Sequence, residues 1–178
     1  MQSELITYCD IESPLGPMIG GCTEAGLCFL EWHDRGGVGR ILARVEKRYR
    51  RPLLQGHHSH LEQLRGEIVR YFEGQSNHFE TPIAVRGTAF EMRVWDQLLR
   101  IPMGETRTYG DLATALGKPG ASRAVGRANG ANYLAIVIPC HRVIAGDGSL
   151  GGYGGKLWRK ARLLELEKSY IVQPTLSL

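Results

Sequence analysis

Residues 135–149 read AIVIPCHRVIAGDGS. An uncharged apolar run ends at Pro139, and a cysteine, a histidine and an arginine follow at once. Cys140 is the best nucleophile in the stretch, but a free thiol has a pKa near about 8.5 and is little ionised at neutral pH. The imidazole of His141 can take the proton. Adjacent side chains rarely point the same way, so a bridging water is the expected route. A third group must then orient the ring. Glu167 is the candidate, because Leu163 and Leu164 would dock its helix into the core. By residue type alone the pair is equally a buried inert cysteine beside a surface histidine. Pro139, ending the apolar run, argues for a thiol that emerges and is rigidly aimed.

Two further stretches bear on chemistry. ASRAVGRANGA, residues 121–131, is nearly all Ala and Gly, with Arg123 and Arg127 as its long side chains. A major-groove reading helix carries long polar side chains for base edges. Small residues instead allow close backbone approach to the narrow minor groove. A lone Arg123 among them can fill the gap left when a base leaves the stack. The same composition also suits a core helix at a tight crossing. GDGSLGGYGG, residues 146–155, lacks the context and the G-K-[ST] ending of a P-loop. It reads as a flexible wall around a pocket, with Tyr153 as a stacking or hydrogen-bonding group.

The elements that position these residues follow from periodicity. LITYCDIE, PMIGGC and GLCFLEW read as strands, the last two joined by a TEAG hairpin loop. GVGRILARVEKRYRR and LEQLRGEIVRYFEG have helical spacing. This makes a small α/β domain over residues 1–85. SNHFETPIAVRG, residues 76–87, is an extended connector across the boundary. Residues 86–178 form a second, mostly helical domain. Thr88 with Glu91, and Thr108 with Asp111, have capping-box spacing. Phe90, Val94, Leu98 and Ile101 are the expected buried stripe of the first helix. TYGDLATALGKPG and the Ala/Gly stretch make two short helices joined by a tight turn, a helix-turn-helix. YLAIVI is a buried strand or extended segment. The last helix is expected to bury Leu157, Ala161 and Leu164.

Composition excludes several classes. Hydrophobic residues make up 43% and charged residues 22%, ordinary for a globular protein with a core. No apolar stretch approaches the roughly 20 residues of a membrane span, and the first residues lack a signal peptide's pattern. Four scattered cysteines suit a reduced interior rather than a disulfide scaffold. Cys9, Cys22, Cys28, His33 and His78 contain no C-x-x-C pair, so structural zinc is not expected. Residues 1–85 carry 9 Lys+Arg against 11 Asp+Glu, whereas residues 86–178 carry 13 against 7. A basic second half suits a polyanionic partner.

Taken together, RAVGRANGAN, IPCHRVI, GDGSLGGYGG and RKARLLELE resemble the O6-alkylguanine-DNA alkyltransferase family over residues 88–168. IESPLGPMIGGCTEAGL resembles the family's opening hairpin more loosely. The spacing suits the stand-alone type or the C-terminal half of the Ada type. The resemblance implies single-turnover repair of O6-alkylguanine, and of O4-alkylthymine in some members, by irreversible alkyl transfer to Cys140. It implies that His141 acts through water as the base, held by Glu167. Tyr109 would contact the backbone where the nucleotide rotates out and help protonate the departing guanine. Arg123 would fill the vacated stack, with Ala121, Ser122, Ala124 and Gly126 on the same DNA-facing helix. Asn132 would brace the turn to the active-site segment. Tyr153, Gly154, Gly155 and the Val143 backbone would line the guanine pocket. The implied partner is double-stranded DNA bound through its minor groove by a monomer, in the cytoplasm or a eukaryotic nucleus, without cofactor or membrane.

Two positions depart from the family's common pattern. Tyr133 stands where a proline is frequent. Gly154 stands where a serine is common, which removes a hydroxyl donor and leaves room for bulkier alkyl groups. The zinc ligands of some relatives match only through Cys22 and Cys28. Three other readings of the residues remain open at this point: a thiol hydrolase using Cys140, His141 and Glu167, a non-catalytic lesion sensor, and a helix-turn-helix regulator.

Overall fold

The computed structural model describes residues 5–172. The chain divides into two units. One comprises residues up to Gly87 together with Tyr133–Val137; the other comprises Thr88–Asn132 and the residues from Ile138 onward.

The first unit is a four-stranded sheet of order β3-β2-β1-β4 with two helices. β1 (Ile6–Ile11), β2 (Met18–Thr23) and β3 (Gly26–Trp32) are antiparallel neighbours. The short β4 (Leu53–Gln55) pairs parallel with β1. β4 has no sequence signal, because three residues on an edge are too few to alternate. α1 (Val38–Tyr49) buries Ile41, Val45 and Tyr49. α2 (Ser59–Phe72) buries Leu61, Leu64, Ile68 and Tyr71, the expected apolar face, and also Glu67. That carboxylate explains the form of the connector. Its oxygens accept from the Thr81 hydroxyl at 2.8 Å, the Thr81 amide at 3.1 Å and the Glu80 amide at 2.9 Å. Two of the connector's amides are thus satisfied by a side chain, and the Ala84 amide donates to Leu27 O of β3 at 2.8 Å.

Residues 133–137 differ from the buried strand or extended segment expected of YLAIVI. They are buried, but they run through turns, with Ile136 at φ 69° and a single bridge from Leu134 to Leu30. The Leu30 amide donates to Tyr133 O at 2.8 Å, and the Ala135 amide donates to Leu30 O at 2.9 Å. An apolar run satisfied by one partner strand does not need to extend as a strand itself.

The second unit contains α3 (Ala89–Leu99), α4 (Tyr109–Ala115), α5 (Ser122–Gly130) and α6 (Leu157–Val172). Two-residue strands β5 (Arg107–Thr108) and β6 (Val143–Ile144) pair in parallel. Both capping boxes form: the Thr88 hydroxyl accepts from the Glu91 amide at 3.2 Å, and the Thr108 hydroxyl accepts from the Asp111 amide at 3.0 Å. Each satisfies amides left open at a helix start. Two buried stripes differ from expectation. On α3, Phe90 is half-buried, and Trp95 takes its place in the core, its indole N–H donating to Ala128 O at 2.8 Å. On α6, Leu157 is 50% exposed and Ala161 is half-buried, and the buried residues are Arg159, Lys160, Leu163, Leu164 and Glu167.

Candidate active site

Pro139 leads into a single 3-10 turn, Cys140–Arg142. The Cys140 amide donates to Ile138 O at 2.8 Å, and the Asn129 side-chain amide donates to the Cys140 carbonyl at 3.4 Å. The backbone carrying the thiol is therefore held on both sides. The expectation of an emerging thiol is corrected, since Cys140 is 7% exposed, and the alternative of a surface histidine fails as well, since His141 is fully buried. The 3-10 turn packs against α6.

The charged partners of His141 fix its tautomer. His141 Nε2 lies 2.7 Å from Glu167 Oε1. Arg142 grips the same carboxylate, Nε donating to Oε2 at 2.8 Å and Nη2 to Oε1 at 2.9 Å. The Gly104 amide donates to Oε2 at 3.3 Å. A carboxylate held by a guanidinium fork is an acceptor only, so Nε2 carries the ring proton. Nδ1 is then the ring's proton acceptor, and it has no hydrogen-bond partner among the described residues. Burial holds His141 below its ordinary value against the opposing pull of Glu167. Burial pushes the Glu167 carboxyl up, but His141 and Arg142 outweigh that and hold it well below the carboxylate range. The resting state is an ionised Glu167 beside a neutral His141, one residue from a thiol.

Tyr109 opens α4 and is half-buried. Burial, and then the neighbouring Cys140, raise its phenol above the ordinary value, so it stays protonated. Its ring is placed by two glycines. A Cβ at Gly126 of α5 would lie 3.8 Å from the ring, and one at Gly151 would lie 3.3 Å from the hydroxyl. Gly151 also has φ 67°. Gly151→Ala is thus expected to cost about 1–2 kcal/mol in the left-handed backbone and to push the phenol aside. Displacing a positioned group slows a reaction on the order of tenfold or more. Single-turnover alkyl transfer alongside thermal denaturation checks this; an unchanged rate would remove the constraint assigned to Gly151.

Lys160 and Arg142 are functional neighbours that the sequence reading missed. Lys160 is fully buried, and its ammonium donates to the carbonyls of Val143 (2.5 Å), Leu150 and Gly152 (3.2 Å). It ties the turn after Cys140 to the glycine-rich loop. Burial lowers its pKa to about 8, while Cys140 pulls the other way. Its only sequence signal is its place three residues before Leu163 and seven before Glu167, on one face of α6.

Residues 89–169 match the 6-O-methylguanine DNA methyltransferase DNA-binding domain, and residues 6–85 match that family's ribonuclease-like domain. The methylated-DNA–protein-cysteine methyltransferase of Mycobacterium tuberculosis is 44% identical over 172 residues, covering 93% of this chain and 94% of that one. The inducible Bacillus subtilis protein of the same name is 46% identical over 146 residues, covering 82% and 81%. The crystal structure of M. tuberculosis O6-methylguanine methyltransferase superposes with a TM-score of 0.80 at 40% identity, covering 96% of each chain. The M. tuberculosis OGT complex with DNA gives 0.79 at 41%, covering 92% and 94%. The chain belongs to the 6-O-methylguanine DNA methyltransferase family.

In this family member, the other residues singled out from the sequence fall as follows. Ala121 is the N-cap of α5, and Ser122 opens the helix. Arg123 is exposed, Ser122, Ala124 and Gly126 are half-buried, and Val125 and Ala128 are buried. The helix thus turns Arg123 outward while Val125 anchors it. The Asn132 side-chain amide donates to Ile138 O at 2.9 Å, closing the chain across residues 133–137. Tyr153 is half-buried, Gly154 is exposed, and the Gly155 carbonyl accepts from Arg159 Nη1 at 3.2 Å. Val143 is buried, and its carbonyl is taken by Lys160, which limits what its backbone can offer a base. Of the N-terminal ligand candidates, His33 pairs with Asp10, and His78 with Glu80. Among the described residues, no group of three or more His, Cys, Asp or Glu side chains is placed to hold a metal ion. No described helix is long and apolar enough to cross a membrane.

Proposed function

We propose that this family member repairs DNA by moving the alkyl group of O6-alkylguanine to Cys140 Sγ in a single turnover. The observation that carries this is the buried Cys140-His141-Glu167 arrangement, with Arg142 fixing the carboxylate, in a chain of this family. The lesion lies inside the duplex, so the nucleotide must rotate out, at a cost of a few kcal/mol. α5 enters the minor groove, its small residues Ala121, Ser122, Ala124 and Gly126 allow close approach, and Arg123 fills the vacated stack. The thiol proton passes through a water to His141 Nδ1. The Cys140 Sγ–carbon bond forms as the carbon–O6 bond breaks. Tyr109 supplies the proton that neutralises the departing guanine. The product thioether has no bond that water hydrolyses readily, so the protein is consumed. Asn132 braces the active-site turn, while Val143, Tyr153, Gly154 and Gly155 wall the pocket. Residues 86–178 carry this chemistry and residues 1–85 support it, in a cytoplasmic monomer without cofactor.

The test is intact-protein and peptide mass spectrometry after mixing with a duplex carrying one O6-methylguanine. A gain of one methyl mass on the Cys140 peptide, stopping at one equivalent, is expected. Tight binding with no mass gain would make it a lesion sensor, and repeated product release would make it a hydrolase. Arg123→Ala is expected to slow repair in duplex by about tenfold or more, because the extruded state loses its filler. Reaction with free O6-alkylguanine base should be nearly unchanged. Equal slowing of both would remove the stack-filling role.

A further inference from the structure

The first unit is acidic except at α1. Residues 40–51 carry six Lys and Arg against one acid, Glu46, whereas the rest of residues 1–85 carry three against ten. Arg40, Arg44 and Lys47 stand at i, i+4 and i+7, so they share one face of the helix, and all three are exposed. Glu46 lies about 100° round the helix from Lys47. Among the described residues, Arg40 and Lys47 have no hydrogen bond or ion pair through their side chains. Arg44 Nη2 lies 3.3 Å from Glu31 Oε1, but both oxygens of that carboxylate also accept from Arg35 Nη1 at 3.0 Å. One negative charge is thus shared by two guanidinium groups, and the face stays positive. Arg48 and Arg51 have partners of their own and are not part of it.

Helix stability does not account for this pattern. Cations favour the last turn, where the carbonyl ends carry partial negative charge, and Lys47 fits that rule. Arg40 sits in the first turn, where the same dipole opposes it, and no acid is present there. A charge pattern that weakens its own helix points to a partner. The apolar face, Ile41, Val45 and Tyr49, is already buried, so α1 has nothing to insert into a bilayer as a membrane-surface helix does. Arg40 to Lys47 spans about 10 Å of helix. A DNA duplex presents roughly six phosphate charges over that length, one per ~1.7 Å. We propose that the Arg40–Arg44–Lys47 face of α1 is a nucleic-acid contact that grips the phosphate backbone irrespective of base sequence. It belongs to the first unit, whereas α5 belongs to the second, and it does not depend on alkyl transfer to Cys140.

The experiment is a fluorescence-anisotropy titration of an undamaged duplex with the full chain at several salt concentrations. Arg40→Gln with Lys47→Gln should weaken binding about tenfold or more at low salt. The slope of log K against log salt should flatten by about 1.8, from two phosphate contacts at ~0.9 each. Arg70→Gln with Lys168→Gln removes the same net charge at exposed positions on α2 and α6 and is expected to change the affinity by less than about threefold. The α1 variant should keep its thermal midpoint and full transfer from free O6-alkylguanine base, which separates this surface from the repair reaction. Should the double variant fail to fold, Lys47→Gln alone serves, with a slope change of about 0.9. Unchanged affinity and slope in the folded variant, or an equal loss in the α2 and α6 pair, would overturn the assignment. Binding to vesicles of anionic phospholipid that the α1 variant loses, with duplex binding intact, would overturn it in favour of a membrane surface.

Discussion

Cys140→Ala is expected to abolish alkyl transfer completely while leaving DNA binding and folding largely intact. The acceptor atom itself is removed, and a neighbouring base cannot replace it. The backbone at this position depends on main-chain groups: the Cys140 amide bonds to Ile138 O, and its carbonyl accepts from Asn129. Both bonds survive the substitution. The lost sulfur leaves a small void, and trimming one buried heavy atom costs about 1 kcal/mol. α5, the helix proposed to enter the groove, carries Arg123 on its exposed side, so the affinity for lesion-bearing duplex should change by less than about threefold. Mass spectrometry and a binding titration on the same sample check both halves. A methylated peptide from this variant would place the acceptor elsewhere; lost binding would mean that the thiol has a structural part.

The second large effect is Glu167→Gln. Glu167 is fully buried and accepts from His141, from two nitrogens of Arg142 and from Gly104. A glutamine amide has one acceptor oxygen, so it cannot serve both His141 and the Arg142 fork. The buried guanidinium then lacks its counter-charge, a defect worth about 3–5 kcal/mol. The imidazole also loses the acceptor that places its proton on Nε2. General-base assistance contributes about 10²–10⁴ in rate, so transfer should slow by about 10²-fold or more. A rate unchanged between pH 6 and 9 would make Glu167 purely structural.

The same pair sets the acid response of the fold. His141 is held below its ordinary value, so below about pH 6.5 the unfolded chain takes up a proton that the folded chain refuses. Glu167 is held well below the carboxylate range. Its stabilisation is therefore fully present above about pH 4.3, the unfolded value, and is lost as pH falls through the folded value. Both effects destabilise on acidification. In Glu167→Gln the carboxyl contribution is gone, so denaturation midpoints should fall less steeply below about pH 4.3 than in the parent.

Local signals in the chain were sufficient for much of this. Thr88 with Glu91 and Thr108 with Asp111 set two helix starts, because a capping box is satisfied within four residues. The Ala/Gly composition of residues 121–131 and the Cys140-His141 adjacency are likewise readable in one dimension. Periodicity misplaced other faces because it scores apolar residues as buried and charged ones as exposed. Trp95 entered the core through an indole bond to Ala128 that no spacing rule anticipates. On α6, Leu157 was expected inside and is exposed, while Lys160 and Glu167 are fully buried.

What the sequence alone determined was the identity of the reactive groups and the helices that carry them. Only the tertiary structure decided that Cys140 is nearly covered, that Arg142 rather than solvent balances Glu167, and that Lys160 ties the loop to the turn. The physical reason is that a charge can be buried only where a distant partner meets it. Glu167 meets His141 and Arg142 from 25 or more residues away, and that meeting exists only once the chain has folded.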